Sequence, residues 1–236
     1  MIPGIIPNAL LLSPPALGTS PVVGTYRSQL GQAAGASLTL SNVDIGTASA
    51  NRLVVVVAMG LSTALVANPT CTIGGIAATL VANQQNALSG TSDNTCIFAA
   101  FVPTGATATV VVSFSASMNR SHGSVYTIDN AKSVTPDTTA KLALKGQSSG
   151  GAKSITLNGV LANSFAIGYC HTYTSSALTH TWSAPYVTDV NAIANANSRC
   201  SSASNAEVAA GNKTLTCTLS STTAINGGAM IGASWS

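Results

Sequence analysis

The chain has 236 residues, enough for one large β domain or two small ones with a substantial core. Only 6% of the residues are charged, nine Lys and Arg against six Asp and Glu, and they are scattered singly. This excludes the basic run or basic-aromatic interleaving of a nucleic-acid surface, while weak repulsion between copies favours self-association.

Residues 1–35 stand apart from the rest. Five of the nine prolines fall here, Pro3, Pro7, Pro14, Pro15 and Pro21. Proline fixes φ and removes a donor, so the segment is expected to be an extended arm. Ile2, Ile5, Ile6, Leu10, Leu11 and Leu12 make it too apolar for a solvated tail, which points to docking on a neighbour. The same stretch lacks a positive leader and is broken by prolines, so it makes a poor signal peptide. No apolar run reaches the length of a membrane helix, and the expectation is a soluble chain made in a cytoplasm, with no membrane partner.

Residues 36–236 read as one β domain. Short apolar runs separated by Gly, Asn, Ser and Pro place strands at 37–41, 52–59, 70–73, 77–82, 95–102, 107–115, 124–128, 154–157, 164–171, 180–182, 186–190, 213–220 and 229–235. Alternation is clearest through Val110, Val112 and Phe114, and through Leu215, Cys217 and Leu219. At most a short helix is expected, near 189–197. Gly74-Gly75 and Gly150-Gly151 read as turns, since no helix start follows them.

The second half repeats the first in order, over about 37–130 and 150–236. Ala50-Asn51 before an apolar strand parallels Ala162-Asn163, and the block from Thr70 to Val81 parallels that from Thr179 to Val190. Cys96 is matched to Cys200, and Gly105 with its following strand to Gly211 with its own. The expected fold is therefore all-β, an antiparallel jelly-roll-like sandwich built from two related halves. One compact sandwich is favoured over two tandem ones, because each half alone is near the lower size limit for a stable core.

Chemistry is sparse. Six carboxylates, Asp44, Asp93, Asp129, Asp137, Asp189 and Glu207, show no DxD or paired spacing, although folding could bring Asp189 and Glu207 together. Five widely spaced cysteines lack any C-x-x-C and are expected to be buried thiols, with their pairing left open. His171 and His180, with Tyr169, Tyr173 and Trp182, form one polar-aromatic cluster; a metal would need a third ligand that the spacing does not supply. Tyr173, His180 and Trp182 are the residues that could face a glycan, against the plainer reading of aromatics packed at the end of a sandwich. No catalytic residue, cofactor or metal is expected, and the chain is read as not an enzyme.

The blocks Ala50-Asn-Arg-Leu-Val-Val, Ile73-Gly-Gly-Ile-Ala-Ala-Thr-Leu-Val and Phe101-Val-Pro-Thr-Gly-Ala-Thr-Ala-Thr-Val-Val-Val-Ser-Phe-Ser, with Trp182, Ser201-Ser-Ala-Ser and the terminal Gly-Ala-Ser-Trp235, resemble accessory virion proteins of tailed bacteriophages. The resemblance covers about 37–236. It implies a non-enzymatic structural protein of a virion, assembled in the host bacterial cytoplasm as a capsid decoration protein, head fibre or tail protein, since fold does not choose among these. Its partners would be copies of itself, a trimer included, and other virion proteins. The alternative is a carbohydrate-binding, host-adsorption module recognising a surface glycan.

Overall fold

The computed structural model describes residues 21–31, 34–64, 68–87, 92–147, 150–174, 178–195, 197–220 and 224–236. Every element among them is a β-strand, and all pairings are antiparallel. The first half supplies β1 (Val23–Leu30), β2 (Gly35–Asp44), β3 (Leu53–Ser62), β4 (Thr70–Ile73), β5 (Ile76–Ala77), β6 (Thr79–Ala87), β7 (Ser92–Phe101), β8 (Thr107–Met118) and β9 (Arg120–Asp129). The second supplies β10 (Thr138–Ala143), β11 (Gly151–Val160), β12 (Ser164–Tyr173), β13 (His180–Trp182), β14 (Val187–Asn195), β15 (Ser198–Val208), β16 (Gly211–Leu219) and β17 (Gly227–Trp235).

The sheet orders make the duplication explicit. In the first half they are β1-β9-β3-β7-β6 and β2-β8-β4-β5; in the second, β10-β17-β12-β15-β14 and β11-β16-β13. Strand for strand the two halves have the same order, except that the second lacks an equivalent of the two-residue β5. In each, the chain passes between the two sheets and its last strand lies beside its first, the jelly-roll arrangement. β4 and β5 are joined at Gly74 and Gly75, both at positive φ (60° and 81°), the two-residue turn that glycine permits at little steric cost.

The halves do not share one pair of sheets. Each closes its own sandwich, and the two larger sheets stack face to face, giving four layers. Three cores follow: one inside the first sandwich (Val54, Val56, Phe98, Val110, Val112), one inside the second (Ile155, Leu157, Leu215, Cys217, Met230), and one between them (Leu53, Val55, Ile97, Phe165, Ile167, Ile231, Trp235). This middle layer answers the size argument that favoured a single sandwich. Fully burying a large apolar side chain contributes about 1.5–3 kcal/mol, so these seven side chains together supply on the order of 10 kcal/mol, comparable to the net stability of a whole domain.

Burial along the strands follows from the layering. β3 reads Leu-Val-Val-Val-Val-Ala-Met-Gly-Leu-Ser and is buried at every position, because its sheet is covered on both faces. β8 in an outer sheet alternates buried and exposed residues over most of its length. At one seam the halves approach so closely that a Cβ at Gly24 of β1 would collide with the ring of Phe165 from β12.

Several boundaries differ from expectation. β1 lies within residues 1–35 yet pairs with β9 as the edge strand of an inner sheet, so the domain begins by Pro21 and not at 36. β10 and β15 are additional strands. The segment expected as a short helix is instead β14, whose alternation is broken by register shifts at Thr188/Val190 and Ile193/Asn195. The match of Cys96 to Cys200 is off by one: Cys96 opposes Ala58 and points into the first core, while Cys200 opposes His171 and points into the middle layer. A slip of one residue changes the face of a strand.

Arg52, just before β3, is fully buried. Its guanidinium donates to the carbonyls of Val102 (2.9 and 2.6 Å), Gly46 (2.8 Å), Thr104 (2.9 Å) and Gly105 (2.9 Å), tying two loops to the sheet end. Burial pulls its pKa below the ordinary arginine value. The corresponding residue of the second half is Ser164, whose hydroxyl donates to Leu161 O at 2.7 Å.

Candidate functional site

The polar-aromatic cluster read in the sequence is divided by the fold. Tyr169, His171 and Tyr173 alternate along β12 and face the middle layer; His180 and Trp182 on β13 face the core of the second sandwich. His180 is 2% exposed and Trp182 6%. Neither offers a stacking face to a sugar. Tyr173 is half-buried, with the Arg120 guanidinium 5.3 Å from its ring centroid, so the glycan platform expected of these three residues is not assembled. The arm residues Ile2, Ile5, Ile6, Leu10, Leu11 and Leu12 lie outside the described residues.

His180 is held by hydroxyls on both ring nitrogens. Nε2 lies 2.8 Å from Thr172 Oγ1 and Nδ1 2.9 Å from Ser201 Oγ, while Trp182 Nε1 donates to the same Ser201 Oγ at 3.0 Å. Asn191 Nδ2 donates to His180 O at 2.8 Å, fixing β13 against β14. Burial lowers the His180 pKa to about 3, with Arg199 adding to the effect, so the ring is neutral.

Beside this ring lie two thiols. Cys170 of β12 and Cys217 of β16 bring their sulfurs, with one His180 ring nitrogen, within 4.8 Å of one another, and all three residues are buried. Sequence spacing did not reveal this set, because each ligand comes from a different strand and the two sheets must first close. The signal available was phase: Cys217 fell on the inward alternation of its strand. All five cysteines are free and buried, as expected.

The middle layer is polar at one end. Asn86 Nδ2 donates to Asp93 Oδ1 at 2.6 Å and to Gly228 O at 3.0 Å, and burial raises the Asp93 pKa to about 6 against its hydrogen bonds with Asn86 and the Gly228 backbone. His122 Nδ1 sits 3.2 Å from Tyr169 Oη, and His171 Nε2 3.0 Å from Ser198 Oγ. Burial lowers these histidines to about 4 and about 3. Asp189 accepts a hydrogen bond from Tyr126 Oη at 2.9 Å; the side chain of Glu207 lies outside the description.

The outer seams differ. Between β6 and β10 runs a shallow groove of about 440 Å³ lined by Leu80, Val81, Ala82, Asn83 and Thr139 to Lys141. Lys141 Nζ donates to Asn83 O (2.8 Å) and Lys145 Nζ to Ala87 O (2.7 Å), covering carbonyls of edge strand β6. The opposite edges, β1 and β14, expose Val23 (53%), Val187 (68%) and Ile193 (57%). No helix among the described residues is long and apolar enough to cross a membrane.

No family model, no curated protein and no solved structure matches this chain.

Proposed function

We propose that the chain is a non-enzymatic structural subunit of a tailed-bacteriophage virion, attached to the capsid or tail through its N-terminal arm. The observation that carries this reading is the β1/β14 side of the molecule. There, two inner-sheet edge strands expose Val23, Val187 and Ile193, and the arm joins the domain at Pro21, whose carbonyl is held by Asn130 Nδ2 at 3.2 Å. Unpaired strand edges with exposed apolar side chains are surfaces on which another chain can dock. A charge-poor exterior permits the close approach of copies.

Because β1 belongs to the sandwich, the arm is to be cut before Pro21. The test compares the full chain with one beginning at Pro21. The full chain is expected to form a defined oligomer by sedimentation and to appear at fixed copy number in purified particles from cells that make it. The shortened chain is expected to keep its melting temperature and lose both properties. Normal assembly without the arm, or absence of the chain from particles, refutes the proposal.

A further inference from the structure

We propose that Cys170, His180 and Cys217 bind one thiophilic d10 cation, Zn2+ in the first instance, in the core of the second sandwich. The donor set is two sulfurs and an imidazole, drawn from three strands and converging within 4.8 Å. Zn2+ has no geometric preference of its own from d electrons, so it can adapt to the arrangement that the sheets impose.

Charge balance fits the location. On binding, two S–H bonds break, two metal–sulfur bonds form, and two protons leave to water; a 2+ cation with two thiolates is neutral and suits an apolar core. His180 gives a ring-nitrogen lone pair in exchange for one hydroxyl hydrogen bond. Thr172 and Ser201 occupy opposite ring nitrogens, so whichever nitrogen takes the metal, the other keeps a hydroxyl partner. Such an outer hydrogen bond is what orients a ligating histidine.

The molecule carries its own control. In the first half, the places of Cys170 and His180 are held by Ala58 and Cys71, and that of Cys217 by a β8 valine, Val110 or Val112. The same fold is thus built there with only one ligand-type side chain at these three places. The second half places three such side chains where packing alone is satisfied by small apolar ones.

The full chain, made with zinc in the medium and also refolded with Zn2+ or Co2+, provides the test. About one zinc per chain is expected to survive gel filtration, and Co2+ to give thiolate-to-metal charge-transfer bands with visible d–d absorption. C170A/C217V imports residues of the first half and is expected to remain β by circular dichroism while losing both signals. His180→Gln, which retains an amide able to meet the hydroxyls, is expected to weaken binding by about tenfold or more in chelator competition. Less than about 0.1 zinc per chain, cobalt bands unchanged in C170A/C217V, unaltered affinity in His180→Gln, or a Cys170–Cys217 disulfide in the isolated protein would each overturn the proposal.

Discussion

The two halves have the same strand order but satisfy their buried polar groups differently. The first places Arg52 at the entrance to β3 and satisfies its guanidinium with loop carbonyls; the second has Ser164 there and a short hydroxyl hydrogen bond. Inside the sandwiches the contrast reverses. The first core centres on Val, Phe and Ile, while the second admits His180, held by Thr172 and Ser201 beside two thiols. The common architecture therefore rests on where apolar residues fall along each strand, and the particular buried polar group is free to vary provided its partners vary with it.

The most drastic way to sharpen this comparison is to separate the halves. A chain limited to residues 137–236 would expose Phe165, Ile167, Ile231 and Trp235 of the middle layer. It is expected to aggregate or pair with itself, and co-expression with residues 21–136 to restore a soluble complex. A monomeric, cooperatively folded 137–236 fragment would show that each half is self-sufficient.

Next in size is Arg52. Arg52→Met leaves four loop carbonyls without their donor and is expected to cost about 3–5 kcal/mol in urea unfolding, against about 1 kcal/mol for Ser164→Ala. Equal losses would break the contrast between the two entrances.

Acid should act unevenly as well. His122, His171 and His180 hold folded pKa values of about 4, 3 and 3, below the ordinary 6.5, because burial disfavours the charged ring. Their contribution is complete above pH 6.5 and declines as the pH falls through the folded values, since the unfolded chain binds the protons first. Asp93 works in the opposite sense: its raised value of about 6 favours the fold below its ordinary 3.8, and this is lost as the pH rises through 6. Hydrogen exchange at pH 4.5 is expected to show β13 and β16 losing protection before β4 and β8. Uniform loss would place the histidine effect elsewhere.

The smallest effect concerns the seams. Gly24→Ala drives a methyl into Phe165 and is expected to cost about 1–3 kcal/mol by thermal unfolding. A neutral substitution would mean that β1 can lift from the second half without penalty.

Much of the fold was legible in the sequence because apolar alternation and turn residues mark strands. β4 and β13 were located to the residue, and the Gly74-Gly75 turn was read correctly. β15 was missed because its Ser-Arg-Cys-Ser-Ser-Ala-Ser run looks like a loop; in the fold, small hydroxyls pair across the middle layer, as Ser124 and Ser202 do at 3.0 Å. The start of β14 was read as a strand at 186–190, but its second part left room for a short helix because bulges disturb its period. The candidate site was less legible. His180 and Trp182 are polar-tipped and were read as packed at the end of a sandwich or facing a glycan, whereas the hydroxyl partners that let them enter a core come from other strands. Cys170 and Cys217 meet only once two sheets close, which strand spacing alone does not encode.

The two lysines over β6 have a consequence for growth. Lys141 and Lys145 occupy carbonyls that an incoming strand would need, while β1 and β14 on the opposite flank leave apolar side chains exposed. The first inner sheet is therefore blunted at its β6 edge, while the β1 and β14 edges on the opposite flank stay receptive. A building block open at both ends extends into a ribbon without limit, but one open at a single end joins once and stops. Contacts made through these edges should thus yield closed pairs of definite size, with any larger lattice relying on other surfaces.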